Sequence, residues 1–215
     1  MKLFFIIMML ATANYASANS TEVQMIGHAA HSDASATDHP QSEKSNIDLV
    51  NHQIIAALKT HDFYTFASAY NKVENKDTFI INNDGTVMYY LFMFMGVDDP
   101  QYFDLVLKHS NPNIIDELND ITPIFRAADS CQVNKAKKLI AAGADVNYVS
   151  NKDNYLTTAE GFTPLHVAAG TKCYKLVLLL LQHGANKHVK TVNGLTPYDI
   201  SVKKGNLKMT ELLKL

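Results

Sequence analysis

Two Thr-Pro pairs, Thr163-Pro164 and Thr196-Pro197, stand 33 residues apart, and between them two apolar stretches close at Gly184-Ala185-Asn186. A period of that length constrains the fold more than any other feature. A unit so small cannot bury its own apolar face, so neighbouring units must stack. Local chemistry fits a pair of helices in each period. Thr163 supplies a capping hydroxyl, and Pro164 at the first helical position gives up no needed N–H. Gly184 lies where the second helix ends and a positive φ is wanted.

The pattern extends in both directions. Upstream, Ile121-Thr122-Pro123-Ile124-Phe125 opens a similar unit with Ala127-Ala128 and Leu139-Ile140, closing at Gly143-Ala144-Asp145-Val146-Asn147. Thr122 and Thr163 are 41 residues apart, eight more than the period. The excess falls in Tyr148 to Gly161, where Ser150, Asn151, Asp153 and Asn154 suit an elongated surface turn. Downstream, Thr196-Pro197-Tyr198 leads through Ile200-Ser201 and Gly205-Asn206 to Leu212-Leu213.

The earlier part of the chain is degenerate. A unit starting at Gly85-Thr86 would place Met88 to Phe94 in its first helix. Asp99-Pro100 would start its second, with Phe103, Val106 and Leu107 buried and a close at Ser110-Asn111-Pro112-Asn113. A unit starting near His52 would bury Ile54, Ala57, Phe66, Ala69 and Tyr70, with His61-Asp62 separating its helices.

The period, Thr163-Pro164-Leu165-His166 and Gly143-Ala144-Asp145 together resemble the ankyrin repeat, with Phe125 replacing the family's His in the third unit. The resemblance covers residues 47–215. It implies an all-α solenoid of about five stacked helix-turn-helix units, starting near 52, 86, 122, 163 and 196, with β-turn fingers. It further implies a binding role without catalysis or cofactor, a protein partner, and a monomeric free state. Thr122, Pro123, Gly143, Thr163, Pro164, His166, Gly184, Thr196 and Pro197 are then structural. In the family the His corresponding to His166 bonds within and between turns. The positions four, seven and eight after the Thr line a concave face, here Tyr90, Met93 and Phe94, then Arg126, Asp129 and Ser130, then Val167. Tyr, Met, Phe and Arg are enriched where partners dock. The alternative for Tyr90, Met93 and Phe94 is packing under the three extra residues that precede this unit's second helix, or under the linker. Tyr148, Tyr155 and Leu156 in the long finger form a second candidate surface.

The amino terminus reads differently. Met1-Lys2, the apolar run Leu3 to Ala11 and Ala16-Ser17-Ala18 match a secretory signal peptide over residues 1–18, against the alternative of a buried first helix. Residues 19–46 are rich in Ser, Ala, Thr, Asp and His, and are expected to be a disordered linker. His28, His31 and His39 near Asp33 and Asp38 leave a metal-binding alternative open, although a metal site needs ligands held in place. The expected address is periplasmic or secreted.

Composition excludes several classes. Without residues 1–18 the chain carries 18 Lys and Arg against 21 Asp and Glu, a net −3. No Lys/Arg block or stripe is visible in the sequence to release counterions from a phosphate backbone, so nucleic acid is not an expected partner. No second long apolar run inserts into a membrane. Gly-x-Ser-x-Gly, His-Glu-x-x-His, phosphate-loop and paired-cysteine zinc motifs are absent, and Asp145, Asp153, Glu160 and Asp199 fall in turn and surface slots.

Cys131 and Cys173 are 42 residues apart in units displaced by 41. An exported compartment permits a bridge. Packed helices lie about 8–10 Å apart, whereas a disulfide needs Cα atoms about 4.4–6.8 Å apart, so a bridge and two separate thiols both stay open. Within exported bacterial proteins of this build, the resemblance admits an immunity role in which the module occludes a toxic enzyme. It equally admits an accessory factor for an envelope or oxidative-stress enzyme, or a secreted effector.

Overall fold

The computed structural model describes residues 40–80, 87–152 and 160–214. The chain divides into two compact units that meet in sequence between Leu105 and Val106. The proposed signal peptide, most of the expected linker and Tyr155 lie outside the described residues.

The first unit opens with α1 (Pro40–Thr60) and α2 (Phe63–Lys72), which pack against each other. α1 begins within the segment expected to be a linker, because Pro40 is tolerated at a first helical position and the helix propagates back from its buried half. That half contributes Ile54, Ala57 and Leu58 to the core. His61, at φ 56, turns the chain, and Asp62 caps α2 by accepting from the Thr65 N–H at 3.0 Å.

An antiparallel hairpin then replaces the helical start expected near Thr86. β1 (Thr78–Ile80) pairs with β2 (Val87–Tyr89) in the register Thr78↔Tyr89, Phe79↔Met88 and Ile80↔Val87. Met88 and Tyr89 therefore belong to a strand. Helix α3 (Tyr90–Met95) starts only after them. Next comes α4 (Pro100–Leu107), inside which the division between units falls, and Asp99 accepts from the Gln101 N–H at 3.0 Å at its start.

The second unit contains three helical pairs: α5 (Pro123–Asp129) with α6 (Val133–Ala141), α7 (Pro164–Gly170) with α8 (Tyr174–Gln182), and α9 (Pro197–Lys203) with α10 (Leu207–Leu213). First helices pack in the order α5, α7, α9, and α6 packs on α8. Ile124, Ala127, Leu139, Leu165, Ala168, Leu176, Leu180 and Met209 build the shared core. Each of the fully buried Ile, Leu and Met side chains is worth about 1.5–3 kcal/mol.

Asparagine side chains tie the ends of successive pairs. Asn113 donates to the Gly143 carbonyl at 3.0 Å and accepts from the Asp145 N–H at 2.7 Å. Asn147 repeats this one unit on, with the Gly184 carbonyl at 3.0 Å and the Asn186 N–H at 2.8 Å. Gly143 and Gly184 sit at φ 94 and 83, which a side chain would disfavour. The α5/α6 pair is thus held to the α7/α8 pair by packing and by backbone-directed hydrogen bonds from Asn147.

Candidate interaction surface

The three Thr-Pro starts share a backbone but not a hydrogen-bond pattern, and the third helical residue decides the difference. At Thr163 that residue is His166, fully buried. Its Nε2–H donates to the Leu195 carbonyl at 3.0 Å, which leaves Nδ1 to accept from the Thr163 N–H at 3.1 Å and its hydroxyl at 2.8 Å. Burial holds the imidazole pKa down, to about 4, against opposing hydrogen bonds to Leu195 and Val189. His166 is therefore a neutral structural clamp within one turn and onto the next.

At Thr196, Asp199 takes the same role, accepting from the Thr196 N–H at 2.8 Å and its hydroxyl at 2.7 Å. Those two bonds hold its carboxyl below the ordinary range. At Thr122 the third residue is Phe125, which can accept nothing, and the buried Thr122 hydroxyl has no partner among the described residues.

Ahead of each pair projects a finger. The first, Asp116–Ile121, closes on itself through the Asp116 N–H to the Ile121 carbonyl at 2.9 Å. The second falls in the stretch expected to be elongated: Ser150 and Phe162 form a bridge, and residues 153–159 lie outside the described residues. The third turns at Thr191–Leu195.

Neighbouring fingers join edge to edge. The Asp120 carboxylate accepts from the Tyr148 hydroxyl and the Asn151 N–H. Lys152 Nζ donates to the Glu117 carbonyl at 2.8 Å. Burial, and then the bond to Asp120, hold the Tyr148 phenol well above its ordinary pKa. On the other side the Val192 N–H donates to the Glu160 carbonyl at 3.0 Å. Gly161 permits that approach, since a Cβ there would lie 3.0 Å from the Thr191 backbone and φ is 87. The result is one row of fingers bearing two outward apolar residues, Leu118 (89% exposed) and Val192 (72% exposed). A single Leu or Val in a polar turn gives almost no sequence signal.

The concave-face expectation is corrected. Tyr90, Met93 and Phe94 are core residues and cannot meet a partner. In the first unit the Tyr70 and Tyr90 rings meet at 5.0 Å, while Phe94 lies 5.2 Å from Phe66 and 5.4 Å from Tyr102. Burial pushes the Tyr90 hydroxyl pKa up. Val167 is buried as well, on a helix flanked by α5 and α9. Arg126 and Asp129 do reach the surface, about one-third exposed and paired at 3.7 Å. Ser130 is exposed and Tyr148 half-buried.

Cys131 and Cys173 are bridged, with Cα atoms 5.5 Å apart. Helix spacing is not the relevant distance, because both residues lie in the turns between helices. Cys131 sits at φ 52, in the position Lys172 occupies at φ 60 one unit on, and Cys173 immediately precedes α8. The separation of 42 in a register of 41 is thus a diagonal link across adjacent turns.

Among the described residues no group of three or more His, Cys, Asp or Glu could hold a metal, and His28, His31 and His39 lie outside them. No described helix is long and apolar enough to cross a membrane.

Comparison with known proteins agrees with this geometry. A family model described as ankyrin repeats in three copies matches residues 96–191 and 148–214. The BTB/POZ domain and ankyrin repeat-containing protein NPR5 of Oryza sativa subsp. japonica is 39% identical over 84 residues, which are 39% of this chain and 15% of that protein. Regulatory protein NPR5 of Arabidopsis thaliana is 38% identical over 84 residues, 39% of this chain and 16% of that protein. Ankyrin repeat and SOCS box protein 5 of Bos taurus is 39% identical over 80 residues, 37% of this chain and 22% of that protein. The matched segment covers less than a quarter of each of these relatives.

Proposed function

Because the chain belongs to the ankyrin-repeat family, whose repeats form non-catalytic protein–protein interaction modules, we propose that it binds a protein partner in an exported, oxidising compartment through its row of fingers. The observation that carries this reading is the pair Leu118 and Val192, raised on fingers that are fixed to one another by hydrogen bonds. Apolar residues held outward on a rigid frame bind without a large ordering penalty.

Two features support the exported address. Residues 1–18 have the pattern of a signal peptide, and the chain's only two cysteines form a bridge, which cytosolic thiol pools disfavour. Within that compartment the role we favour is occlusion of a toxic enzyme, as an immunity protein does, and an accessory factor for an envelope enzyme is the alternative. Affinity capture from the exported fraction tests the binding reading. Leu118→Asp with Val192→Asp is expected to lose the partner with the fold intact, and unchanged recovery would overturn the finger surface. Inhibition of the captured protein's activity separates occlusion from assistance.

A further inference from the structure

The sequence shows no stripe of positive charge, but stacking builds one. Residues 106–215 carry 14 Lys and Arg against nine Asp and Glu, a net +5, whereas residues 1–105 carry five against 12, a net −7. Five of those 14 lie in the turns between the helices of the last two pairs or on the helix ends flanking them. Segments 171–175 and 202–208 contain Lys172, Lys175, Lys203, Lys204 and Lys208, all exposed, and no carboxylate.

The two turns lie along one edge. Lys175 and Lys208 hold the same position in α8 and α10, and Lys208 Nζ lies 4.3 Å from the centre of the Tyr174 ring. The preceding turn adjoins the same edge through the Thr171 hydroxyl, 3.1 Å from the Ala128 carbonyl, and through the disulfide. Three acids of the second unit are engaged on their own helices. Asp129 pairs with Arg126, Asp199 accepts from Thr196 while also feeling the charge of Lys203, and Glu211 lies 3.8 Å from Lys214. Between Lys204 and Lys208 in the chain Leu207 is 82% exposed, and Val202, preceding Lys203, is half exposed.

We infer that this lysine edge docks on an anionic lipid bilayer, with Leu207 entering the interfacial layer. The composition favours a lipid surface over a protein or nucleic acid. All five cations are Lys, a flexible point charge suited to a diffuse field of headgroups, and none is the forked Arg that recognises one carboxylate or phosphate. Lys is depleted at the cores of protein interfaces. A protruding Leu among lysines has no counterpart on a phosphodiester backbone, but it gains from leaving water at a membrane interface. Each Lys near an anionic surface is worth about fivefold in partitioning, and the attraction falls with salt. The edge would lie on the surface without spanning the bilayer.

Sedimentation with vesicles tests this directly on the mature chain. Partitioning onto phosphatidylcholine vesicles containing phosphatidylglycerol, absent with pure phosphatidylcholine and reduced by salt, is the expected result. Lys204→Glu with Lys208→Glu should lower it by at least about tenfold. Lys137→Glu with Lys138→Glu, the same charge change on α6, should lower it less than about threefold. Leu207→Ser should weaken binding several-fold without altering its salt dependence. Thermal melts confirm that each variant is folded. Equal losses from both double variants would reduce the effect to net charge and overturn the inference. So would failure to bind anionic vesicles, competition by millimolar inorganic phosphate, tighter binding to duplex DNA, or concentration-dependent self-association through Leu207.

Discussion

His166 Nε2 lies 3.0 Å from the carbonyl oxygen of Leu195, 29 residues later in the chain. One side chain thereby joins the start of α7 to the next finger while its other nitrogen closes its own helix start. The arrangement works only with a neutral ring, and this gives the protein a pH dependence.

Unfolded, His166 titrates near 6.5, and folded near 4. Above about pH 6.5 both states are neutral and His166 adds no slope. As pH falls from 6.5 towards 4 the unfolded chain takes up a proton that the folded chain refuses, so stability falls. The loss levels at about 3 kcal/mol once both states are protonated. Urea unfolding at pH 7, 5.5 and 4 is expected to show this loss. His166→Gln should be less stable at pH 7 and should lose less between pH 7 and 4. An unchanged slope in the variant would assign the effect to other groups.

Thr122 and Thr163 should respond oppositely to Val. Val suits the extended backbone at both sites, so the hydroxyl alone is compared. Thr163→Val removes the cap and leaves His166 Nδ1 short of a donor, a loss of about 1–2 kcal/mol. Thr122→Val exchanges an unpartnered buried hydroxyl for a methyl, and is expected to be neutral or stabilising by up to about 1 kcal/mol. Denaturant midpoints of the two variants decide the matter.

Gly161 and Gly184 separate two reasons for glycine. At Gly184 nothing lies within 4 Å of an added Cβ, so Gly184→Ala meets only the φ of 83 and should lose about 1 kcal/mol. Gly161→Ala meets a φ of 87 and the Thr191 backbone at 3.0 Å. Its expected loss is about 2–3 kcal/mol, with the third finger displaced. Equal melting temperatures for the two variants would contradict the close approach.

Removing the bridge with Cys131→Ala and Cys173→Ala frees a 42-residue separation in the unfolded chain. The chain-entropy argument gives up to about 4 kcal/mol of lost stability. Reductant should reproduce that loss in the unmodified protein and leave the double variant unaffected. A reductant-insensitive melt of the unmodified protein would show that the bridge does not form.

How far the sequence could be read follows where its landmarks survive. From Thr122 onward each unit keeps a Thr-Pro start, so helices, fingers and His166 were all legible. Gly143 and Gly184 added the stops of α6 and α8. In the first unit Gly85-Thr86 imitated a repeat start, although Asp84-Gly85 between Thr78-Phe79-Ile80 and Val87-Met88-Tyr89 is a hairpin signal. Counting the concave face from Thr86 therefore assigned Tyr90, Met93 and Phe94 to the surface, when α3 begins at Tyr90 and turns them into an aromatic core. The bridge stayed undecided because helix spacing was the wrong ruler for two turn residues. The lysines were invisible as a group because they are spread over 37 residues, and only stacking collects them.

The edge-to-edge fingers have one more consequence. The amide protons of Asn151 and Val192 are held by oxygen atoms of the adjoining repeat, so they exchange only when the contact between two fingers opens. Their exchange with deuterium would mark the moment at which two neighbours part. A bound protein that bridges those tips would slow both amides together, even if it touched neither.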